Sequence, residues 1–530
     1  MNSAFLVQQI RHPGGVVEVL SVQAVNRDRM NAERVMLRNF PAQVSEFAPP
    51  SQAHFEEWLL RPASLEEPQR TFFNNKSLHT VQAWPGSEVR TLVNQGPVDR
   101  RVNLTIVGDG YTEAEKVKFF EDAQRLTREM FVGRAFASYL PLFNVHAVFV
   151  PSNESGITDR QKKDTALGLY RSPKGSKRAI MPGDSGAARR AVALAPRTDY
   201  PILLANDDYY GGLGGEFAIT TRSLNSGSMV LNHELGHNIS EVGEEYDGGQ
   251  VYRGANFSRT TSVSWREWVD SSLKAEKGEA LIGKYPWKNL SDGDLSYRFL
   301  MPQGDKKNVL VVDLSSVGWS SETDVEVLID GQICAFDGIY TSDRSFFRLR
   351  ETNHIKPGWH ELVVRDKNHD GDNILASIRV TAYPADYDFT PKKVGAFPVF
   401  AEGEQFVGYR PTHESCLMRD MRSPDFCVVD KQSIWHNLLR RLNLIDGVTT
   451  TQTETGIRAV LSVPDLLGLS IQWYLKTGEG EQELTEYRNM KTWQRDGLHQ
   501  GEFRVRVRFE TSEVREYNQD FEDEAKFRVG

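Results

Sequence analysis

The sequence predicts an α+β chain of several domains, an α/β unit accompanied by β-rich modules, and three observations carry that expectation. Between residues 91 and about 230, apolar strand-like runs alternate with helical segments. Residues 308–383 and 446–530 read as successive period-2 runs with turns between them. Residues 1 to about 90 mix short β-type runs with turn residues and carry no long helical period. A length of 530 residues accommodates roughly three or four domains of ordinary size.

In chain order, VVEVLSVQAV and RVMLRNF are the β-type runs of the N-terminal β-domain, and PPSQAHFEEWLLRPASLEEPQ reads as an irregular connection within it. VNLTIVGDGY is an apolar strand that ends in a Gly-Asp-Gly turn. Thr112 and Glu115 then form a capping box for the helix EAEKVKFFEDAQRLTREMF, and FNVHAVFVPS supplies a second strand, which completes a βαβ unit. Residues 157–190 are rich in turns and locally basic, a composition that is either solvated or suited to acidic substrate residues. YPILLAND reads as a buried strand. The glycines of YYGGLGGEFAITT lack the GK[ST] ending of a phosphate loop and read as an edge strand that a peptide can approach closely.

SMVLNHELGHNI follows, with the period of a helix that buries Met229, Val230 and Leu231. Within it His233 and His237 stand four apart, on one helix face, so both imidazoles can reach one zinc ion. Glu234 lies at the metal's edge, where it can take a proton from a water; it is a base and not a ligand. Gly236 leaves room for a close backbone approach. A catalytic zinc takes three protein ligands, and the position ten residues after His233 is Gly243, which cannot bind. A turn there brings Glu244, Glu245 and then Asp247 back toward the metal; Glu245 is favoured as the third ligand, with Glu244 its close rival.

A net charge of −9 disfavours nucleic acid or an anionic membrane as the main partner. No run of about 18 apolar residues is present, so no transmembrane segment is expected, and the first residues show no secretory signal. The three cysteines, Cys334, Cys416 and Cys427, are no disulfide framework; Cys416 and Cys427 are near enough in sequence to pair or to remain buried thiols, and a Cys-x10-Cys spacing is not a zinc-site signature. DKNHDGDN opens like a calcium loop but has Ser377 at its twelfth position, so an Asp/Asn-rich hairpin turn is expected.

Set side by side, NQGPVDRRVNLTIVGDGYT, FNVHAVFVPSNESG, YYGGLGG, VLNHELGHNISEVGEEY, NFSRTTSVSWREWV and YRPTHESCLMRDMRSPDFC resemble the IgA peptidase family of zinc metallopeptidases. The resemblance implies a zincin-like α/β catalytic domain after an N-terminal β-domain. Because the last block follows residue 383, it also implies that a β-sandwich interrupts the catalytic unit. The expected division is 1–90, an N-terminal β-domain; 91–304 and 385–445, the two parts of the catalytic domain; 305–384, an inserted β-sandwich; and 446–530, a C-terminal β-sandwich. Met418 in CLM falls where Met-turn zincins place a methionine beneath the metal. The chain departs from the family at Asp430, where FCVVD replaces FCxxC, and at Glu244-Glu245, where the family's pair is Asp-Glu; the second swap leaves Glu245 as the better match.

These readings lead to a zinc-dependent endopeptidase acting on proteins, immunoglobulin or other extracellular proteins among them, with a secreted or cell-surface location. Tyr246 and Tyr409 are the candidate donors to the oxyanion. The alternatives are a zinc amidase acting on cell-wall or glycan substrates, and an adhesin with structural zinc whose sandwiches bind a surface or glycan. A closed site holding both Glu244 and Glu245 would favour the adhesin.

Overall fold

The computed structural model describes residues 84–529 apart from 134, 173–177, 241, 250–251, 271, 304–308, 352–354, 402 and 498–499, together with three strands nearer the N-terminus. Those strands, β1 (Ser3–Arg11), β2 (Val17–Asn26) and β3 (His54–Leu60), form an antiparallel sheet of order β2-β1-β3. β3 falls inside the stretch expected to be an irregular connection, since all seven of its residues pair with β1. RVMLRNF lies outside the described residues.

The next sheet has six strands: β4 (Glu88–Val93), β5 (Val102–Asp109), β6 (Phe143–Phe149) and, beyond a two-residue hairpin of β7 (Tyr170–Arg171) and β8 (Ile180–Met181), β9 (Tyr200–Ala205), β10 (Gly212–Leu213) and β11 (Ala218–Thr221). Their order is β10-β11-β9-β5-β6-β4; β5, β6, β9 and β11 run parallel, and the edges β4 and β10 are antiparallel. Parallel strands need both faces covered, which is why β5 and β6 are apolar runs buried at every residue. Helix α1 (Lys116–Val132) starts beyond Thr112, whose backbone N–H donates to the Glu115 carboxylate at 3.0 Å, and it joins β5 to β6.

The period of two on β5 and β9 divides the core. Leu104, Ile106, Ile202 and Leu204 pack with Phe119, Leu126, Leu231 and Leu235, whereas Val107, Leu203 and Ala205 pack with Ala187, Ala188 and Ala191. The alanines belong to α2 (Ser185–Val192), a helix inside the stretch expected to be turns. Asp184 in Gly-Asp-Ser-Gly looks like a turn residue but is an N-cap, accepting the Ala187 N–H at 2.8 Å. Helix α3 (Gly227–Ser240) carries the two histidines on the opposite face of the sheet.

Residues 279–383 form two packed sheets from β12 (Glu279–Lys284), β13 (Lys288–Asn289), β14 (Leu295–Met301), β15 (Val309–Val317), β16 (Val325–Ile329), β17 (Gln332–Ile333), β18 (Asp337–Gly338), β19 (Arg344–Glu351), β20 (Gly358–Asp366) and β21 (Ile374–Tyr383). They enclose a separate core that includes Leu310, Val312, Phe347, Leu362, Val364 and Ile378. β12 and β14, which the expected boundary at 304 leaves outside this module, pair with β21 and β20; β14 keeps only alternate residues covered and so gives a weak strand signal. DKNHDGDN is the turn between β20 and β21, closed by the Asn373 amide donating to Asp366 and Asn368 at 3.0 and 2.7 Å.

A hairpin of β22 (Phe397–Phe400) and β23 (Phe406–Arg410) leads to α4 (Val428–Leu439), which packs on α3; the Ser433 hydroxyl and Asn437 amide donate to the Ser240 carbonyl at the end of α3. The chain ends in two antiparallel sheets built from β24 (Gly447–Gln452), β25 (Gly456–Ser462), β26 (Leu469–Thr477), β27 (Gly480–Glu483), β28 (Thr492–Asp496), β29 (Gly501–Phe509) and β30 (Glu522–Val529). Their core is continuous with that of α1 and α3. Tyr139, Trp435 and Phe509 link the two, with ring centroids 4.6 and 4.8 Å apart. Among the described residues no helix is long and apolar enough to cross a membrane.

Arg101, just before β5, and Asp446, just before β24, form a buried two-pronged ion pair with both N–O distances 2.7 Å. Removing one partner strands the other charge away from water. Asp446→Ala is expected to lower stability by about 3–5 kcal/mol, read as the shift of the urea midpoint; an unmoved midpoint would show that the pair does not join these modules.

Candidate metal centre

Helix α3 places His233 and His237 a turn apart, with ring centroids separated by 4.9 Å. Each Nδ1 faces a backbone carbonyl, Val242 O at 2.8 Å for His237 and Leu417 O at 3.4 Å for His233. Those contacts orient the rings and leave both Nε2 atoms free to bind. The Glu244 carboxylate spans them, with Oε1 3.3 Å from His237 Nε2 and Oε2 3.4 Å from His233 Nε2. The edge of a zinc tetrahedron with bonds near 2.1 Å is about 3.4 Å; both imidazole–carboxylate separations lie near it, and the ligand atoms of the three residues all lie within 4.8 Å of one another.

Glu245, the residue favoured from the sequence, does not face the imidazoles. Its backbone N–H donates to Met418 O at 3.0 Å, and its carboxylate takes the Asn256 amide at 3.1 Å on the far side of the segment. Adjacent side chains leave an extended segment on opposite sides, so Glu244 and Glu245 cannot both turn to the histidines. Asp247 is engaged elsewhere, 2.8 Å from Arg419 and 3.2 Å from Arg379. The turn that holds Glu245 also carries Met418, fully buried under the site. A Cβ on Gly236 would lie 2.8 Å from the Phe426 ring and 3.1 Å from Met418 Sδ, which is the close approach that the glycine permits.

Burial alone would lower the His237 imidazole pKa, but the Glu244 carboxylate outweighs it and raises the value to about 9. Burial correspondingly works against the Glu244 carboxylate, and the two imidazoles reverse it and hold Glu244 below the ordinary carboxylate range. Burial, and then the Glu244 charge, raises Glu234 above its ordinary value against the pull of the histidines.

Glu234 points at the turn just beyond β10. A Cβ on Gly214 would sit 2.3 Å from its Oε2, and around Gly215 the space is open. The edge at β10 is not wholly free. The Gly212 N–H donates to Arg178 O at 2.9 Å, so the basic stretch covers the start of the strand and leaves Gly214 and Gly215 beyond it. Arg178, not singled out from the sequence except as one of nine basic residues in its loop, lies within electrostatic reach of Tyr246 and Glu244. Tyr246 lies beside His233, ring centroids 6.3 Å apart, whereas the Tyr409 ring packs on Phe406 at 5.2 Å.

A helix that presents two imidazoles on one face with a glutamate beside the first is the arrangement of a metallopeptidase. Residues 91–285 match the family model described as IgA Peptidase M64, and the match supports the IgA peptidase family for this chain. No curated protein matches it. Among solved structures, it is similar to an FMN-binding β-glucuronidase from Facaelibacterium prausnitzii L2-6, with 12% identity over 50% of this chain and 34% of that one and a TM-score of 0.14. It is also similar to a Paenibacillus sp. cycloisomaltooligosaccharide glucanotransferase complexed with cycloisomaltoheptaose, with 8% identity over 64% of this chain and 53% of that one and a TM-score of 0.12. The chain thus spans 34% and 53% of their lengths, and at these TM-scores neither likeness carries an argument about fold or activity.

Gly214→Ala puts a methyl group where the Glu234 carboxylate lies. The carboxylate must swing by about 1 Å, and turnover is expected to fall by about 10²-fold while metal content and thermal stability stay unchanged; unaltered turnover would remove Gly214 from the site.

Proposed function

We propose that this chain is a zinc-dependent endopeptidase acting on protein substrates outside the cell or at its surface, with His233, His237 and Glu244 as its metal ligands and Glu234 as its general base. The observation that carries the reading is the gathering of three ligand-type side chains within 4.8 Å, with both imidazoles 3.3–3.4 Å from the Glu244 carboxylate, together with Glu234 lying against Gly214. Two imidazoles and one carboxylate are a donor set of catalytic zinc, and a three-donor set leaves a position for water. Glu245 facing away argues against a closed structural site and hence against the adhesin reading. When bound, zinc supplies Lewis acidity toward the scissile carbonyl and toward a water.

The chain's own groups do the rest. Glu234 takes the proton of the attacking water, and its raised affinity for protons suits it to hold that proton and pass it to the leaving amine nitrogen. Tyr246, beside His233, and Arg178, whose charge acts on Tyr246 and Glu244, are the candidate donors to the developing oxyanion. Gly214 and Gly215, in the turn just beyond β10, present no side chain, which lets a peptide backbone come down to Glu234.

The test is to incubate the zinc-loaded chain and its Glu234→Ala variant with a mixture of secreted proteins that includes immunoglobulin, and to map new termini by mass spectrometry. Termini from the parent only, with the variant slower by about 10²–10⁴-fold, are expected. Cleavage at equal rates by both would end the assignment of Glu234, and no cleavage by a fully metallated parent would end the peptidase reading.

A further inference from the structure

On the other side of Glu244 lies a second cluster of ligand-type side chains. Glu245, Cys416, Cys427 and Asp430 each bring an oxygen or sulfur within 4.8 Å of the others. Cys416 Sγ is 2.8 Å from Asp430 Oδ2, and Cys427 Sγ is 3.9 Å from Glu245 Oε1. The two thiols are not joined in a disulfide; the Cys427 backbone N–H donates to Cys416 Sγ at 3.2 Å. Glu245, Cys416 and Asp430 are 0% exposed and Cys427 is 5% exposed.

This is an expensive arrangement for a protein to keep without a cation. Glu245 Oε2 and Asp430 Oδ1 are shielded from solvent and have no hydrogen-bond partner. Among the described residues no lysine, arginine or histidine forms an ion pair with either carboxylate.

We propose that Glu245, Cys416, Cys427 and Asp430 form a second, structural zinc site, distinct from the one that His233, His237 and Glu244 form. Two thiolates select zinc over calcium or magnesium, and four protein donors leave no position for water, which is the property of a structural ion. On binding, the protons of the thiols and of any protonated carboxyl pass to solvent, and the ion balances the charge that remains. The donors come from the segment after α3, from the turn that carries Met418 and from the first turn of α4, so the ion would tie together the three pieces that set Glu244 opposite the histidines.

The test uses the full chain and requires no peptidase activity, so its failure is separable from that of the functional reading. Elemental analysis after exhaustive dialysis is expected to find about two zinc ions per parent chain and about one in the His233→Ala/His237→Ala variant. Loaded with cobalt(II), that histidine variant should show a near-ultraviolet thiolate-to-cobalt charge-transfer band, because only the second site offers sulfur. Adding Cys427→Ser should weaken the band by about half, and adding Cys416→Ser as well should abolish it. A histidine variant that retains no zinc, or that shows no charge-transfer band with cobalt(II), overturns the assignment whatever the parent chain holds, and it keeps the test valid even where the cysteine variant does not fold.

Discussion

The site depends on how the short non-helical segment from Val242 to Asp247 is gripped. The Asn256 side chain holds both backbone groups of Gly243, accepting its N–H at 2.9 Å and donating to its carbonyl at 3.0 Å, and the Glu245 N–H is tied to Met418 O. With the backbone held at those points, side chains must alternate. Glu244 and Tyr246 face the histidines, while Glu245 enters the thiol cluster and Asp247 enters a group of arginines. A rotation of the segment by one residue would replace every one of these partners.

The two sheets of residues 279–383 brace that grip. Arg379 on β21 contacts both Asp247 and Asp313 on β15, at 3.2 and 3.3 Å. Arg348 on β19 pairs with Asp313 at 2.6 Å and reaches Glu414 and Asp420 around the Met418 turn. Asp343 is buried and accepts the Tyr210 N–H and the hydroxyls of Ser223 and Ser226, all at 2.6 Å. One carboxylate thus fixes both the approach to the glycine strand and the start of α3. Buried, fully used acceptors of this kind set position more than they add net stability.

Much of this was legible from residue pattern alone. The βαβ unit follows from apolar runs around a capped helix, the α3 histidines from a spacing of four, and the glycine strand from its missing side chains. The choice between Glu244 and Glu245 was not legible, because two identical residues side by side differ only in phase. That phase is set by a hydrogen bond to Met418, remote in sequence. Helix α2 was hidden because an N-cap aspartate uses the same residues as a turn, and β14 because alternate exposure dilutes its apolar signal. The thiol-carboxylate cluster draws donors from three distant segments, and its Cys-x10-Cys-x2-Asp spacing matches no metal signature.

Anomalous diffraction at the zinc absorption edge, from crystals of the zinc-loaded chain, tests the alternation directly. The account predicts peaks on opposite sides of the peptide between Glu244 and Glu245, the one between the histidines having a Glu244 oxygen at about 2.0–2.2 Å. A single peak between the histidines with Glu245 bound to it would contradict the account.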